Sequence, residues 1–77
     1  MSLKSIQTKN IELSLGYIHK AQDRLEMALS FADDWALKSI GTKYHETAQL
    51  LSKQLHHASD ILCEASVITN KSINIVK

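Results

Sequence analysis

Lys38-Ser39-Ile40-Gly41-Thr42-Lys43-Tyr44 is the stretch that decides the fold. Gly41 is one of two glycines in a 77-residue chain without proline. A glycine suits the left-handed position that ends a helix, and a threonine after it can accept a first-turn N–H and open the next helix. Gly41-Thr42 therefore reads as the boundary between a first long helix with its turn over residues 17–40 and a second helix over residues 42–70. Asp33-Asp34 is unfavourable near a helix C-terminus and favourable at the start of a new turn. The first helix thus ends somewhere between Ala32 and Gly41, with Asp33 or Asp34 as a cap. Gly16, the other glycine, costs about 1 kcal/mol inside a helix relative to alanine, so residues 1–15 read as a separate N-terminal segment.

Outward from that boundary the apolar spacing is helical on both sides. Before it, Ile11, Leu15, Ile18, Ala21, Leu25, Ala28, Leu29, Ala32 and Ala36 recur at intervals of three and four, with Gln22 as the one polar interruption. After it, Tyr44, Ala48, Leu51, Leu55, Ala58, Leu62 and Ala65 do the same. Lys9, Glu12, Lys20, Asp23 and Arg24 fall mostly away from the first stripe, as a solvated face requires. Ser52, Ser59 and Ser66 lie seven apart beside the seam of Leu51, Leu55, Ala58, Leu62 and Ala65, small enough for two helices to approach closely. Thr69 to Asn74 are weak helix formers, so the second helix is expected to fray there. Two helices of about thirty residues, each about 45 Å long and joined by a short turn, lie antiparallel. The predicted fold is all-α, an antiparallel helical hairpin in one small domain, with a short N-terminal third helix as an option.

Composition removes several function classes. With 44% hydrophobic and 22% charged residues the chain is too apolar for a disordered linker. A net charge of +1, with lysine and arginine spread along the sequence, supplies no basic field for nucleic acid. No apolar run approaches the roughly 20 residues that span a bilayer, so no membrane role is expected. The start, Met1-Ser2-Leu3-Lys4-Ser5, lacks the apolar centre of a signal peptide, and a cytoplasmic location is the expectation. A chain this small buries only about 60% of its unfolded surface. Cys63, the one cysteine, cannot form an internal disulfide, so association with another chain is the remaining route to stability.

The residues that point to function are apolar. At about 100° per residue, Leu50, Ile61 and Ile68 form a second stripe well away from the Leu55 seam, bordered by Ala58 and Ala65. The first helix adds a comparable flank of Tyr17, Ala28 and Trp35, with Phe31 farther round. One hairpin contact cannot bury both stripes, and a contiguous apolar patch marks a protein interface. The competing reading is that Leu3, Ile6 and Ile11 form a third helix that folds back over the patch. The partner interface is placed on Leu50, Ala58, Ile61, Ala65 and Ile68, with Tyr17, Phe31 and Trp35 as aromatic anchors.

Catalysis and metal binding are not expected. His45 and His56 share a face but lie about 16 Å apart along a helix, and His56 and Cys63 about 10 Å, beyond one ion's reach. His56 and His57 diverge, and His56 with Asp60 supplies two ligands at most. Cys63 has no histidine three or four residues away and sits near the seam edge, where a buried, inert thiol is the reading. Glycine-rich phosphate loops are absent. No cofactor, metal or small-molecule substrate is expected.

Leu25-Glu26-Met27-Ala28-Leu29 on the first helix, and Ser52-Lys53-Gln54-Leu55 with Ala58 and Ile61 on the second, carry a resemblance over residues 25–62. In these stretches and their separation the chain resembles the small E-type co-chaperones of type III secretion needle subunits. The turn region around Trp35, without a glycine-rich loop, and the longer C-terminal tail differ from that pattern. The resemblance implies a bacterial cytoplasmic protein that stabilises a larger helical-repeat chaperone and helps keep the needle subunit monomeric. The functional expectation is a helical adaptor or co-chaperone. The alternative is a homodimeric four-helix bundle acting as a small regulator or accessory protein.

Overall fold

The computed structural model describes residues 3–76; Met1 and Ser2, which open the N-terminal segment, and Lys77 lie outside the described residues. Two α-helices, α1 (Leu3–Lys38) and α2 (His45–Val76), form an antiparallel hairpin 60 Å long and 15 by 12 Å in section. Along α1 the seam follows Thr8, Ile11, Leu15, Ile18, Gln22, Leu25, Leu29, Ala32, Ala36 and Ser39. Along α2 it follows His45, Ala48, Ser52, Leu55, Ser59, Leu62, Ser66, Thr69, Ile73 and Val76. All of these positions are buried or half-buried. Intervals alternating strictly between three and four are those of a coiled-coil seam.

The seam on α2 is rotated from the expected one. Ser52, Ser59 and Ser66 lie within it rather than beside it, while Leu51 stands exposed. Continuing the heptads away from the Ser39–His45 contact puts Leu29 level with Leu55, Leu25 with Ser59, Ile18 with Ser66 and Leu15 with Thr69. Leu25 on Ser59, Ile18 on Ser66 and Leu15 on Thr69 set a large side chain against a small one, which lets the helices close up without voids. The tightest packing is at the turn end, where Ala48 is 0% and Ala32 4% exposed.

Among the described residues no separate N-terminal helix folds back across the hairpin. Leu3, Ile6 and Ile11 belong to α1, which runs unbroken through Gly16, and α2 continues to Val76 rather than fraying near residue 70. Both departures have one cause. Ile11 and Thr8 continue the heptads of α1 level with Ile73 and Val76 of α2, so packing between the chain ends outweighs weak local propensity. Thr69 and Ser72 turn their hydroxyls onto the carbonyls of Ala65 and Ile68, at 2.7 and 2.8 Å. A Cβ at Gly16 would meet nothing within 4 Å. Gly16→Ala is therefore expected to raise stability by about 0.5–1 kcal/mol, seen as a higher thermal midpoint; a lower midpoint would contradict a helix continuous through this residue.

The turn obeys its sequence more closely. Gly41 has φ +83, and the Thr42 N–H bonds the Ser39 carbonyl at 2.9 Å. The Thr42 hydroxyl donates to the same carbonyl at 2.7 Å and accepts the Tyr44 N–H at 3.2 Å, a capping role, although regular α2 begins only at His45. His45 reaches back across the turn: its Nδ1–H donates to the Ala36 carbonyl at 3.0 Å, and the Ser39 hydroxyl donates to that carbonyl at 3.1 Å. Two carbonyls at the end of α1 thus gain partners that the helix itself does not supply.

Candidate protein-binding face

In an antiparallel pair the residues flanking the seam meet in two unlike edges. One edge takes Ala21, Ala28 and Trp35 from α1 and Leu51, Ala58 and Ala65 from α2. The other takes Glu12, His19, Glu26 and Asp33, with Gln49, His56, Cys63 and Asn70. Observed contacts fix this assignment. Tyr17, Lys20, Ala21, Arg24 and Leu25 line one shallow open depression together with Ala58 and Leu62. Asp33 meets Ser52 and His56 on the opposite edge.

The first edge broadens into an apolar face. Its floor is the alanines, with Ala21, Ala58 and Ala65 half-buried, and ridges rise from the next helical positions outward. On α1 the ridge carries Tyr17, 69% exposed, and Phe31, 73% exposed; on α2 it carries Ile61 and Ile68, the latter 64% exposed. Trp35 stands above the floor near the turn. Of the eight residues singled out from sequence, Tyr17, Phe31, Trp35, Ala58, Ile61, Ala65 and Ile68 share this face, and Leu50 lies at its outer margin. Leu51 and Ile75 are exposed on the same side of α2, and Tyr44, in the turn just before it, is exposed too; they extend the face beyond the sequence reading. For Leu51 the signal is its recurrence at seven with Ala58 and Ala65, a spacing that hydrophobicity alone fits equally well to the seam. Lys20 lays its ammonium over the Tyr17 ring, 5.2 Å from the centroid.

The polar edge corrects the reading of the acidic pair. Asp33 and Asp34 lie inside α1 and cap nothing. Asp34 pairs with Lys38 at 2.9 Å, one turn on. Asp33 accepts the Ser52 hydroxyl and lies 3.3 Å from His56 Nε2, so His56 looks across to α1 instead of along α2 to Asp60. These neighbours make carboxylates tolerable near a helix C-terminus. The Ser52 hydroxyl foremost holds the Asp33 carboxyl below its ordinary value of 3.8; desolvation opposes it, and the hydrogen bond and charge of His56 lower it further.

A carboxyl depressed in the folded state stabilises the fold above its unfolded pKa and loses that contribution as pH falls through the folded one. Wild type should therefore lose stability more steeply than Ser52→Ala as pH drops below about 4. Thermal melts across an acid series check this; parallel curves for the two proteins would contradict it.

Cys63 is exposed, not buried as its nearness to the seam suggested. It borders a second shallow depression with Asp60, Glu64, Val67 and Ile68, all on α2. Among the described residues no three His, Cys, Asp or Glu side chains are grouped to hold a metal ion. Nor, among the described residues, is any helix long and apolar enough to cross a membrane. What the two helices define together is an all-α hairpin with one apolar side. No protein-family model, curated protein or solved structure matches the chain.

Proposed function

We propose that the protein is a non-enzymatic helical adaptor that binds another helical protein through the apolar face built by both helices. One observation carries this reading. The only apolar residues buried within the hairpin are Ala32 and Ala48, among the described residues, while Tyr17, Phe31, Ile61 and Ile68 stand exposed on one side. A contiguous apolar surface of that kind marks an interaction site, and covering it supplies burial that a two-helix chain lacks. The alanine floor admits a helix laid along the hairpin, with the aromatic side chains as anchors.

The resemblance to needle co-chaperones suggests a particular form. In it, the hairpin acts in the bacterial cytoplasm, lays this face on a larger helical-repeat chaperone of a type III secretion system, and so helps keep the needle subunit monomeric. A homodimeric four-helix bundle is the second reading, favoured by the charges at the margins of the face.

Calorimetric titration of the purified protein into a needle chaperone tests the first form. Ile61→Glu should weaken binding at least about tenfold, while Lys53→Glu, on the outer side of α2, should leave it unchanged. No binding by wild type would overturn the co-chaperone form, and binding indifferent to Ile61→Glu would overturn the face.

A further inference from the structure

We infer that the occupant of this face in the free protein is a second copy of the chain, laid face to face with both turns at the same end. The inference rests on the reading of this face as a helix-binding surface and gives its occupant when no other protein is bound. Area is the first support. The side of the hairpin that carries the face is 60 Å long and 15 Å wide, an upper bound of about 900 Å² per copy or about 1,800 Å² in all, within which a stable standard interface fits.

Charge supplies the orientation. A closed dimer uses a two-fold axis, and only two such axes lay this face on itself. An axis along the hairpin keeps the turns together and sets α1 across α2 of the other copy. An axis at right angles to the hairpin, in the plane of the face, sends the turns to opposite ends and sets each helix across its own counterpart. Near mid-length Lys20 stands on the outer margin of α1 and Arg24, seven residues from both Tyr17 and Phe31, on its ridge, and the heptads place Glu64 level with Lys20 on the outer margin of α2. Among the described residues neither Arg24 nor Glu64 forms an ion pair within the hairpin. With the turns together, each Lys20 meets Glu64 of the second copy, twice per dimer. With the turns apart, Lys20 and Arg24 crowd the same two residues of the second copy, and Glu64 meets Glu64. Like charges across an interface reject the second arrangement, and unlike charges select the first.

Sedimentation equilibrium on the full chain is the test, with circular dichroism confirming helical content. Wild type should sediment at about twice its 8.6 kDa. Lys20→Glu and Glu64→Lys should each weaken the dimer about tenfold, and the double exchange should restore it. Ala65→Glu should give a helical monomer. Spin labels at Lys43→Cys, in a Cys63→Ser background, should lie far closer than the 60 Å length of the hairpin. Labels about that far apart, or a double exchange that fails to restore the dimer, would overturn the orientation. A monomeric wild type whose binding of an apolar dye is reduced by Ala65→Glu would overturn the second copy and leave the face standing. A dimer indifferent to Ala65→Glu would overturn both.

Discussion

Ala48→Asp is expected to unfold the hairpin at room temperature and neutral pH, seen as loss of most of its helical circular dichroism. Ala48 is 0% exposed, in the first turn of α2 and level with Ala36 of α1, where alanine faces alanine. A carboxylate there has no solvent. His45 Nδ1–H, one turn back, is engaged by the Ala36 carbonyl. An uncompensated buried charge costs about 3–5 kcal/mol, comparable with the whole stability of a small domain at about 0.05–0.15 kcal/mol per residue. Two controls separate charge from position. Ala48→Ser should cost no more than about 1 kcal/mol, because the seam already accommodates Ser52, Ser59 and Ser66, and a helical serine can bond the carbonyl four residues back. Leu51→Asp, three residues on but on the open face, should retain helical content, since its side chain is 43% exposed. A folded Ala48→Asp would mean that the turn-end seam does not hold the hairpin together.

The existence of two helices, their antiparallel arrangement and the turn at Gly41-Thr42 were legible because each rests on local signals: three-and-four spacing and a single glycine followed by a capping hydroxyl. The rotation of α2 was not. Hydrophobicity marks the residues that face α1 and those that face outward alike. Leu51, Ala58 and Ala65 therefore outweighed Ser52, Ser59 and Ser66 as seam residues, although the serines lie inside. Which stripe faces the other helix depends on the alternation of large and small side chains across the pair, which requires the register. The same limit hid the meeting of Asp33 with Ser52 and His56, residues distant in sequence that the turn brings level. Weak propensity near Asn70 and the glycine at 16 argued for frayed ends, but packing between Ile11 and Ile73 overrides such preferences. The face itself was legible as an excess: more apolar stripe than one hairpin contact can bury.

Gly41→Val is expected to lower the thermal midpoint by about 5–15 °C, corresponding to about 1–3 kcal/mol of backbone strain. Gly41 has φ +83, the value taken by the third residue of a type II turn, and a β-branched side chain is least tolerant there. Crowding makes no contribution, because a Cβ at this position would meet nothing within 4 Å. The order of substitutions therefore distinguishes conformation from space. Asparagine is bulkier than alanine but enters the left-handed region more readily. If conformation governs the turn, stability falls in the order glycine, asparagine, alanine, valine; if space governs, asparagine falls below alanine. Register enters as well, since the Thr42 bonds to Ser39 and the His45 bond to Ala36 depend on this turn closing. Once the turn is closed, the heptads beyond it are untouched, so well below its own midpoint Gly41→Val should bind through the apolar face with wild-type affinity. Loss of binding at a temperature where the variant remains fully helical would show instead that the turn contributes directly to the contact.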